Sequence, residues 1–283
     1  MCTVRTTSNP VFKNLPKQEG GGYATFGSAQ AGAAQVAQEY GQQYPAAEQY
    51  QTPQRAMTID DVVTKTAITL GVLTISAIIS YFLVDGNESL AAPLVIGGGL
   101  VGFVLVMVAS FGRKMDNPAI VLAYAVCEGL FLGAFSFMFA NWAIQGVDAS
   151  VLIGQAVLGT FGVFFGMLVV YKTGAIRVTP RLTRMIIGGL IGVLVLMIGN
   201  LIASFFTAGG FGLRDGGTVA IIFSLVCIAL AAFSFLLDFD AADELIRAQA
   251  PEKAAWGVAL GLTVTLVWLY VEILRLLSYL NND

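Results

Sequence analysis

The chain has 283 residues, of which 57% are hydrophobic and only 12% are charged, with a net charge of −3. Soluble domains carry roughly twice that charged fraction, so the composition predicts an integral membrane protein. Histidine is absent, which excludes Ser-His and Cys-His catalysis and histidine-ligated zinc or iron. No basic patch with interleaved aromatic residues indicates nucleic acid. We therefore expect neither an enzyme nor a nucleic-acid-binding protein, and no cofactor.

Residues 1–56 form a polar tail rich in Gly, Ala, Gln and Tyr, with no periodic apolar face. This composition is typical of disordered segments. We expect a disordered cytoplasmic tail at 1–56 and a seven-helix membrane domain at 57–283. The segment NPVFKNL near the start of the tail is either a short docking motif or part of a solvated tail.

Seven apolar runs follow the tail, each of about 20 residues, the length that crosses a bilayer as a helix. The runs are Thr66–Val84, Ala92–Phe111, Pro118–Ala140, Val151–Tyr171, Arg184–Thr207, Thr218–Phe239 and Trp256–Leu280. Thr58 and Asp60 precede the first run as a helix N-cap and an acidic first turn. The predicted fold class is an all-α polytopic membrane protein.

Basic residues are concentrated in the segments after the second, fourth and sixth runs. They are Arg113, Lys114, Lys172, Arg177, Arg181, Arg184, Arg247 and Lys253. The opposite loops hold mostly acids, with a single arginine next to an aspartate at 214–215. By the positive-inside rule, the N-terminus and the even-numbered loops lie in the cytoplasm.

Small residues recur every fourth position in three runs. They are Ala125, Gly129 and Gly133, then Gly162 and Gly166, then Gly188 and Gly192. This spacing lets helix backbones approach closely in lipid, so we expect tight packing at each of them.

Two acids lie within or at the edge of the apolar runs that precede the last one. Glu128 lies near the middle of the third run, and Asp238 ends the sixth in FSFLLDFDAADEL, above a small and polar stripe. Two carboxyl groups that share a site can share one proton near neutral pH, and its loss leaves oxygen ligands suited to Ca²⁺. Alternatively, Asp238 is an ordinary interfacial acid, and Glu128 is a protonated donor to a neighbouring helix.

The last run, Trp256–Leu280, carries Glu272 and Arg275 within apolar sequence. Charged groups at membrane depth usually face protein or a water-filled path. A stripe of small and polar positions leads back from Glu272 along one face. It consists of Trp268, Thr265, Gly261 and Val258. We expect other helices to surround this one, with Glu272 either functional or a structural partner of Arg275 one turn on.

Three motifs resemble the Bax inhibitor motif membrane proteins, in particular their bacterial branch with a long polar tail. The motifs are EGLFLGAFS, FSFLLDFDAADEL and LVWLYVEILRLLSYL. The resemblance implies two three-helix layers around a central seventh helix, in a bacterial cytoplasmic membrane. It also implies a pH-sensitive calcium leak, in which an acid late in helix six and one in helix seven share a proton and latch the pore shut.

Carried over by motif, those acids are Asp238 in LLDFD and Glu272 in LYVEI, where Glu272 stands in place of a commoner Asp. A basic residue at the cytoplasmic end of helix two is also implicated, which matches Arg113 or, failing that, Lys114. Counting depth along the runs leaves the two acids on the order of 15–20 Å apart. A sixth helix that continues past its apolar run would bring Asp238 deeper; otherwise Glu272 must pair with Glu128 or Arg275.

The first functional hypothesis is a pH-gated leak for Ca²⁺. Asp238 and Glu272 are its proton sensor and ion ligands, Glu128 lines the path, and Arg113 and Arg275 bias the closed state. Its partners are the bilayer, Ca²⁺ and protons. The second hypothesis is a non-transporting regulator that binds a membrane protease or another membrane complex, an effect that deletion of the tail should abolish.

Overall fold

The computed structural model describes residues 55–143, 148–207 and 209–281. The predicted disorder of the tail lies outside the described residues, apart from Arg55 and Ala56. Seven helices in the described ranges are long and apolar enough to cross a membrane, which confirms the all-α polytopic membrane fold. They are α1 (Ile59–Gly86), α2 (Ala91–Phe111), α3 (Pro118–Met138), α4 (Ala149–Thr173), α5 (Pro180–Ser204), α6 (Thr218–Arg247) and α7 (Ala255–Leu280).

Helix α1 begins at Ile59, about two turns before the first apolar run. Thr58 caps it, as the sequence predicted. The Thr58 hydroxyl accepts a hydrogen bond from the Asp61 backbone N–H, and the Asp61 carboxylate accepts one from the Thr58 N–H at 2.9 Å. This capping box satisfies the free N–H groups at the helix end, so the helix begins in polar sequence that hydropathy alone does not detect.

Helix α6 also exceeds its apolar run and ends at Arg247 instead of Phe239. No Gly or Pro interrupts the sequence between these two residues, so the helix continues beyond the apolar segment. Asp238 therefore lies about two turns before the end of α6. This is the continuation of the sixth helix that would place Asp238 deeper than the end of its apolar run suggests.

The helices form two groups with α7 between them. Helices α1, α2 and α3 pack together, and α6 packs against both α4 and α5. Helix α7 contacts α1 and α3 from the first group and α4 and α6 from the second. The most apolar window of α7 is 61% buried, against 6% in α5. The predicted arrangement of two three-helix layers around a central seventh helix agrees with these contacts.

Close packing of small residues is confirmed between α1 and α3. A Cβ atom added at Gly129 or Gly133 would collide with the carbonyl oxygens of Leu73 and Ala77 in α1. Interhelical hydrogen bonds reinforce the contact, because the Ser76 hydroxyl donates to the Val126 carbonyl at 2.8 Å. Glycine removes the side chain that would hold these backbones apart.

The prediction of close packing at regularly spaced glycines is wrong for α4 and α5. No described atom lies within 4 Å of the Cβ position at four of the predicted packing glycines, which are Gly162, Gly166, Gly188 and Gly192. These glycines lie on helices with little buried surface, and α5 contacts chiefly α6. Spacing of small residues shows that they share a face, and it does not show whether that face meets another helix.

Candidate functional site

Glu272 is the most deeply buried charged side chain in the described part of the chain, with 1% of its surface exposed. Arg275 donates to its Oε2 at 2.9 Å, and the Ser224 hydroxyl donates to its Oε1 at 3.0 Å. Nη1 of Arg214 lies 3.4 Å from both carboxylate oxygens. A buried carboxylate is tolerated when charges and hydrogen bonds compensate it, and these partners provide both.

The partners of Glu272 come from three different segments. Arg275 lies three residues on in α7, so the two side chains share a helix face, which is the structural pairing that the sequence left open as an alternative. Ser224 belongs to the small and polar stripe of α6. Arg214 lies in the loop between α5 and α6, where the sequence marked it only as a loop charge.

Apolar groups position the Arg214 side chain over the cluster. Its guanidinium lies 5.5 Å from the centre of the Phe223 ring, and its Nη2 donates to Sδ of Met197 at 2.9 Å. The only signal for this role in the sequence is an isolated arginine in a glycine-rich loop, FGLRDGG. That signal does not identify the partner.

A cavity of about 470 Å³ opens beside this cluster, at the end of the bundle where α7 ends. Arg214, Arg275 and Asp215 line it, together with the hydroxyl-bearing side chains of Ser278 and Tyr279. We call it the outer cavity, since the distribution of basic residues predicts that this end faces away from the cytoplasm.

Asp238 meets α7 at Thr265, in the half of that helix nearer its start. It is half-buried on α6, and the Thr265 hydroxyl donates to its Oδ2 at 2.8 Å. Asp238 lines a second cavity, of about 460 Å³, which we call the inner cavity. Arg113 and Asp116 line the same cavity, both from the loop between α2 and α3. The structure thus brings two predicted site residues, Asp238 and Arg113, to one cavity, and the role of Arg113 as a latch stays a prediction.

The structure does not bring Asp238 and Glu272 into direct contact. The hydrogen-bond partner of Asp238, Thr265, precedes Glu272 by seven residues, which is about 10 Å along a helix. Buried Leu266 and Leu269 lie between these two levels of α7. In this conformation Glu272 has Arg275 as its partner, the alternative that the sequence left open, and the shared proton stays a prediction.

Glu128 lies apart from both cavities. It is half-buried on α3, and its Oε2 occupies the position that a side chain at Gly102 of α2 would take. Within the described ranges, no hydrogen bond or ion pair involves its carboxylate. A role of Glu128 in lining an ion path therefore has no support from its position.

The predicted Ca²⁺ ligands do not form one site in this conformation. Among the residues that the structure describes, no three His, Cys, Asp or Glu side chains lie close enough together to hold a metal ion. Joint ligation by Asp238 and Glu272 would require α6 and α7 to move relative to each other. Glu272 instead contacts Arg275, Arg214 and Ser224, and Asp238 contacts Thr265 at a different level of the bundle.

One comparison with known proteins is informative. The model of the Bax inhibitor 1 like family matches residues 9–282, which is nearly the whole chain. No curated protein matches the chain.

Proposed function

The chain belongs to the Bax inhibitor 1 like family of membrane proteins, and from this premise we propose that it is a pH-sensitive leak for cations, with Ca²⁺ as the permeant ion. One observation carries the proposal. Two cavities open at opposite ends of the bundle, and a carboxylate of the α6–α7 interface lies at or beside each of them. Only a short apolar segment of α7 separates the two carboxylates.

The chemistry of these groups suits a hard cation. Carboxylate oxygens are the ligands that Ca²⁺ prefers, and the described site contains no nitrogen or thiolate ligand set that would favour a transition metal. Protonation removes the charge of a carboxylate, so each acid can act as both ligand and proton sensor. Trp268, which lies between Thr265 and Glu272 on the same stripe of α7 and packs against Phe223 and Cys227, then forms the barrier of a closed state.

The proposal includes an orientation and a location. The basic residues after α2, α4 and α6 favour a cytoplasmic N-terminus. The inner cavity, which Arg113 lines, then faces the cytoplasm of a bacterial cell, and the outer cavity faces away from it. The proposal assigns no catalytic step.

Ca²⁺ flux into dye-loaded liposomes between pH 6 and pH 8 tests this function. We expect the wild type to show flux that depends on pH, because protonation removes the charge of a carboxylate that would bind the cation. Asp238→Asn and Glu272→Gln should each remove the dependence, since neither amide titrates. Glu88→Gln is the matched control, because Glu88 is an exposed acid that lines neither cavity.

Folded wild-type protein that gives no flux above protein-free liposomes at any pH would contradict the leak. That result would favour a non-transporting regulator of a membrane protease or another membrane complex. Deletion of residues 1–54 then tests the regulator, because the predicted docking tail is lost. The truncation stops before Arg55, whose carbonyl accepts a hydrogen bond from the Glu252 N–H at 2.9 Å.

A further inference from the structure

We propose that Arg214 is a tethered counter-ion that closes the outer cavity, because its guanidinium occupies the approach to Glu272 that a permeating cation needs. The inference rests on the proposed leak and identifies the residue that regulates its outer mouth. Arg214 belongs to the loop between α5 and α6, and it acts through its contact with Glu272.

The distances identify Arg214 as the exchangeable partner of Glu272. Arg275 donates at 2.9 Å, within the usual range for a charged hydrogen bond, and it lies on the same helix as Glu272. Arg214 lies at 3.4 Å from both oxygens, which is longer than that range. Ser224 and Arg275 lie on α6 and α7, whereas Arg214 reaches the carboxylate from a loop. The longer contact from the loop is therefore the one that a cation can displace.

The charge balance at the outer mouth explains how Arg214 excludes cations. Glu272 carries one negative charge and contacts two guanidinium groups, so the cluster has a net charge of +1. A divalent cation in the outer cavity is repelled by that excess charge, strongly so where water is scarce. The exposed Asp215 at the same mouth offsets that excess, so removal of Arg214 takes the cluster and Asp215 together from neutral to a net charge of −1.

The loop gives the Arg214 side chain room to leave. The chain adopts left-handed backbone conformations at four glycines of this loop, which are Gly209, Gly210, Gly212 and Gly216. The path of the loop therefore depends on residues without side chains, although Leu213, next to Arg214, packs against Phe223 and Cys227 of α6. Its side chain is 22% exposed and borders a cavity of about 470 Å³, into which it can rotate.

Ca²⁺ binding to the purified full-length protein in detergent, measured by calorimetry at pH 7, tests the inference directly. We expect Arg214→Gln to bind Ca²⁺ about tenfold more tightly than the wild type, since one repulsive charge is removed. Adding Glu272→Gln to it should remove the gain. Arg214→Lys should stay near the wild type, because it keeps the charge.

Two further variants keep the test decisive if Arg214→Gln does not fold. Asp215→Asn removes an exposed acid from the same mouth and should weaken Ca²⁺ binding. Arg247→Gln is the matched control, because Arg247 is an exposed arginine that lines neither cavity. Affinities of Arg214→Gln and Asp215→Asn that equal the wild-type affinity would overturn the inference.

Flux measured on the same proteins separates this inference from the leak. If liposomes that contain the wild-type protein show no Ca²⁺ flux while Arg214→Gln binds Ca²⁺ more tightly, the leak is contradicted. The cation-excluding role of Arg214 then still stands. A pH-dependent wild-type flux that Arg214→Gln does not raise, with unchanged affinity, would contradict the role of Arg214 and leave the leak standing.

Discussion

At the scale of single residues, two buried threonines of α7 show how the same side chain serves different purposes. Thr263 donates to the Ala259 carbonyl of its own helix at 2.7 Å. Thr265 donates to the Asp238 carboxylate on α6 at 2.8 Å. The carbonyl of Ala259 also receives the backbone hydrogen bond of the helix, whereas Thr265 is the hydrogen-bond donor that the described structure gives to Asp238. Only the second bond links an ionisable group to the neighbouring helix.

We therefore predict that Thr265→Val destabilises the fold by about 1–2 kcal/mol, because a half-buried carboxylate loses its hydrogen-bond donor. Thr263→Val is the matched control and should change the free energy of unfolding by less than about 1 kcal/mol, since its acceptor keeps a backbone donor. Thermal or denaturant unfolding in detergent measures both. Equal losses of stability in the two variants would mean that the bond to Asp238 adds nothing to the fold.

At the scale of helices, the pair α1 and α3 differs from the peripheral helices in how closely its backbones approach. Hydroxyl groups of α1 donate to carbonyl oxygens of α3 at both levels of the contact, Ser76 to Val126 and Ser80 to Leu130 at 2.6 Å. Gly129 and Gly133 make this approach possible. Helix α7 contacts both helices of this pair.

Gly133→Ala should lower stability by about 1–3 kcal/mol, because the new methyl group overlaps the α1 backbone at Ala77 and forces the helices apart. Gly162→Ala in α4 makes the same chemical change where no described atom lies within 4 Å. It should be neutral or stabilising by up to about 1 kcal/mol, since alanine favours helix more than glycine does. Unfolding midpoints in detergent compare the two, and a greater loss for Gly162→Ala would contradict the packing described for α1 and α3.

At the scale of the whole molecule, ion pairs join separate elements at the inner end of the bundle. Lys65 of α1 donates to the Glu252 carbonyl at 2.7 Å and lies 3.2 Å from its carboxylate. Lys253 pairs with Asp116 of the α2–α3 loop at 2.9 Å. These pairs lie around the start of α7, so they hold the elements that border the inner cavity. At the outer end, the ion pairs of Glu272 with Arg214 and Arg275 join the α5–α6 loop to α7.

The two cavities should be reachable from opposite sides of the membrane. In a background with Cys2, Cys127 and Cys227 replaced by alanine, Met115→Cys places a thiol on the inner cavity and Asp215→Cys places one on the outer cavity. A membrane-impermeant maleimide should label Asp215→Cys in intact cells and Met115→Cys only in inverted vesicles, because the even-numbered loops are predicted to be cytoplasmic. Labelling of both thiols from the same side would show that the cavities do not face opposite compartments, and exchanged sides would reverse the orientation.

Seven helices and their order were predictable because the length of a bilayer-spanning helix and the hydropathy of its residues are local properties. The same holds for the N-cap at Thr58, and the sequence offered the pairing of Glu272 with Arg275, three residues apart, as an alternative to a pairing with Asp238. The centrality of α7 was also predictable, since an acid in apolar sequence must be surrounded by protein. Each of these conclusions needs no more than a few turns of sequence.

Only the tertiary structure decided which partners meet across long separations. Arg214 and Glu272 are 58 residues apart, and Asp238 and Thr265 are 27 apart, so helix packing alone sets both contacts. It also separated Gly129 and Gly133 of α3, whose Cβ positions meet the backbone of α1, from Gly162, Gly166, Gly188 and Gly192 of α4 and α5, whose Cβ positions meet no other helix among the described residues. Periodicity places residues on a common face of a helix, but the neighbour of that face is determined by how all seven helices fill the space around α7.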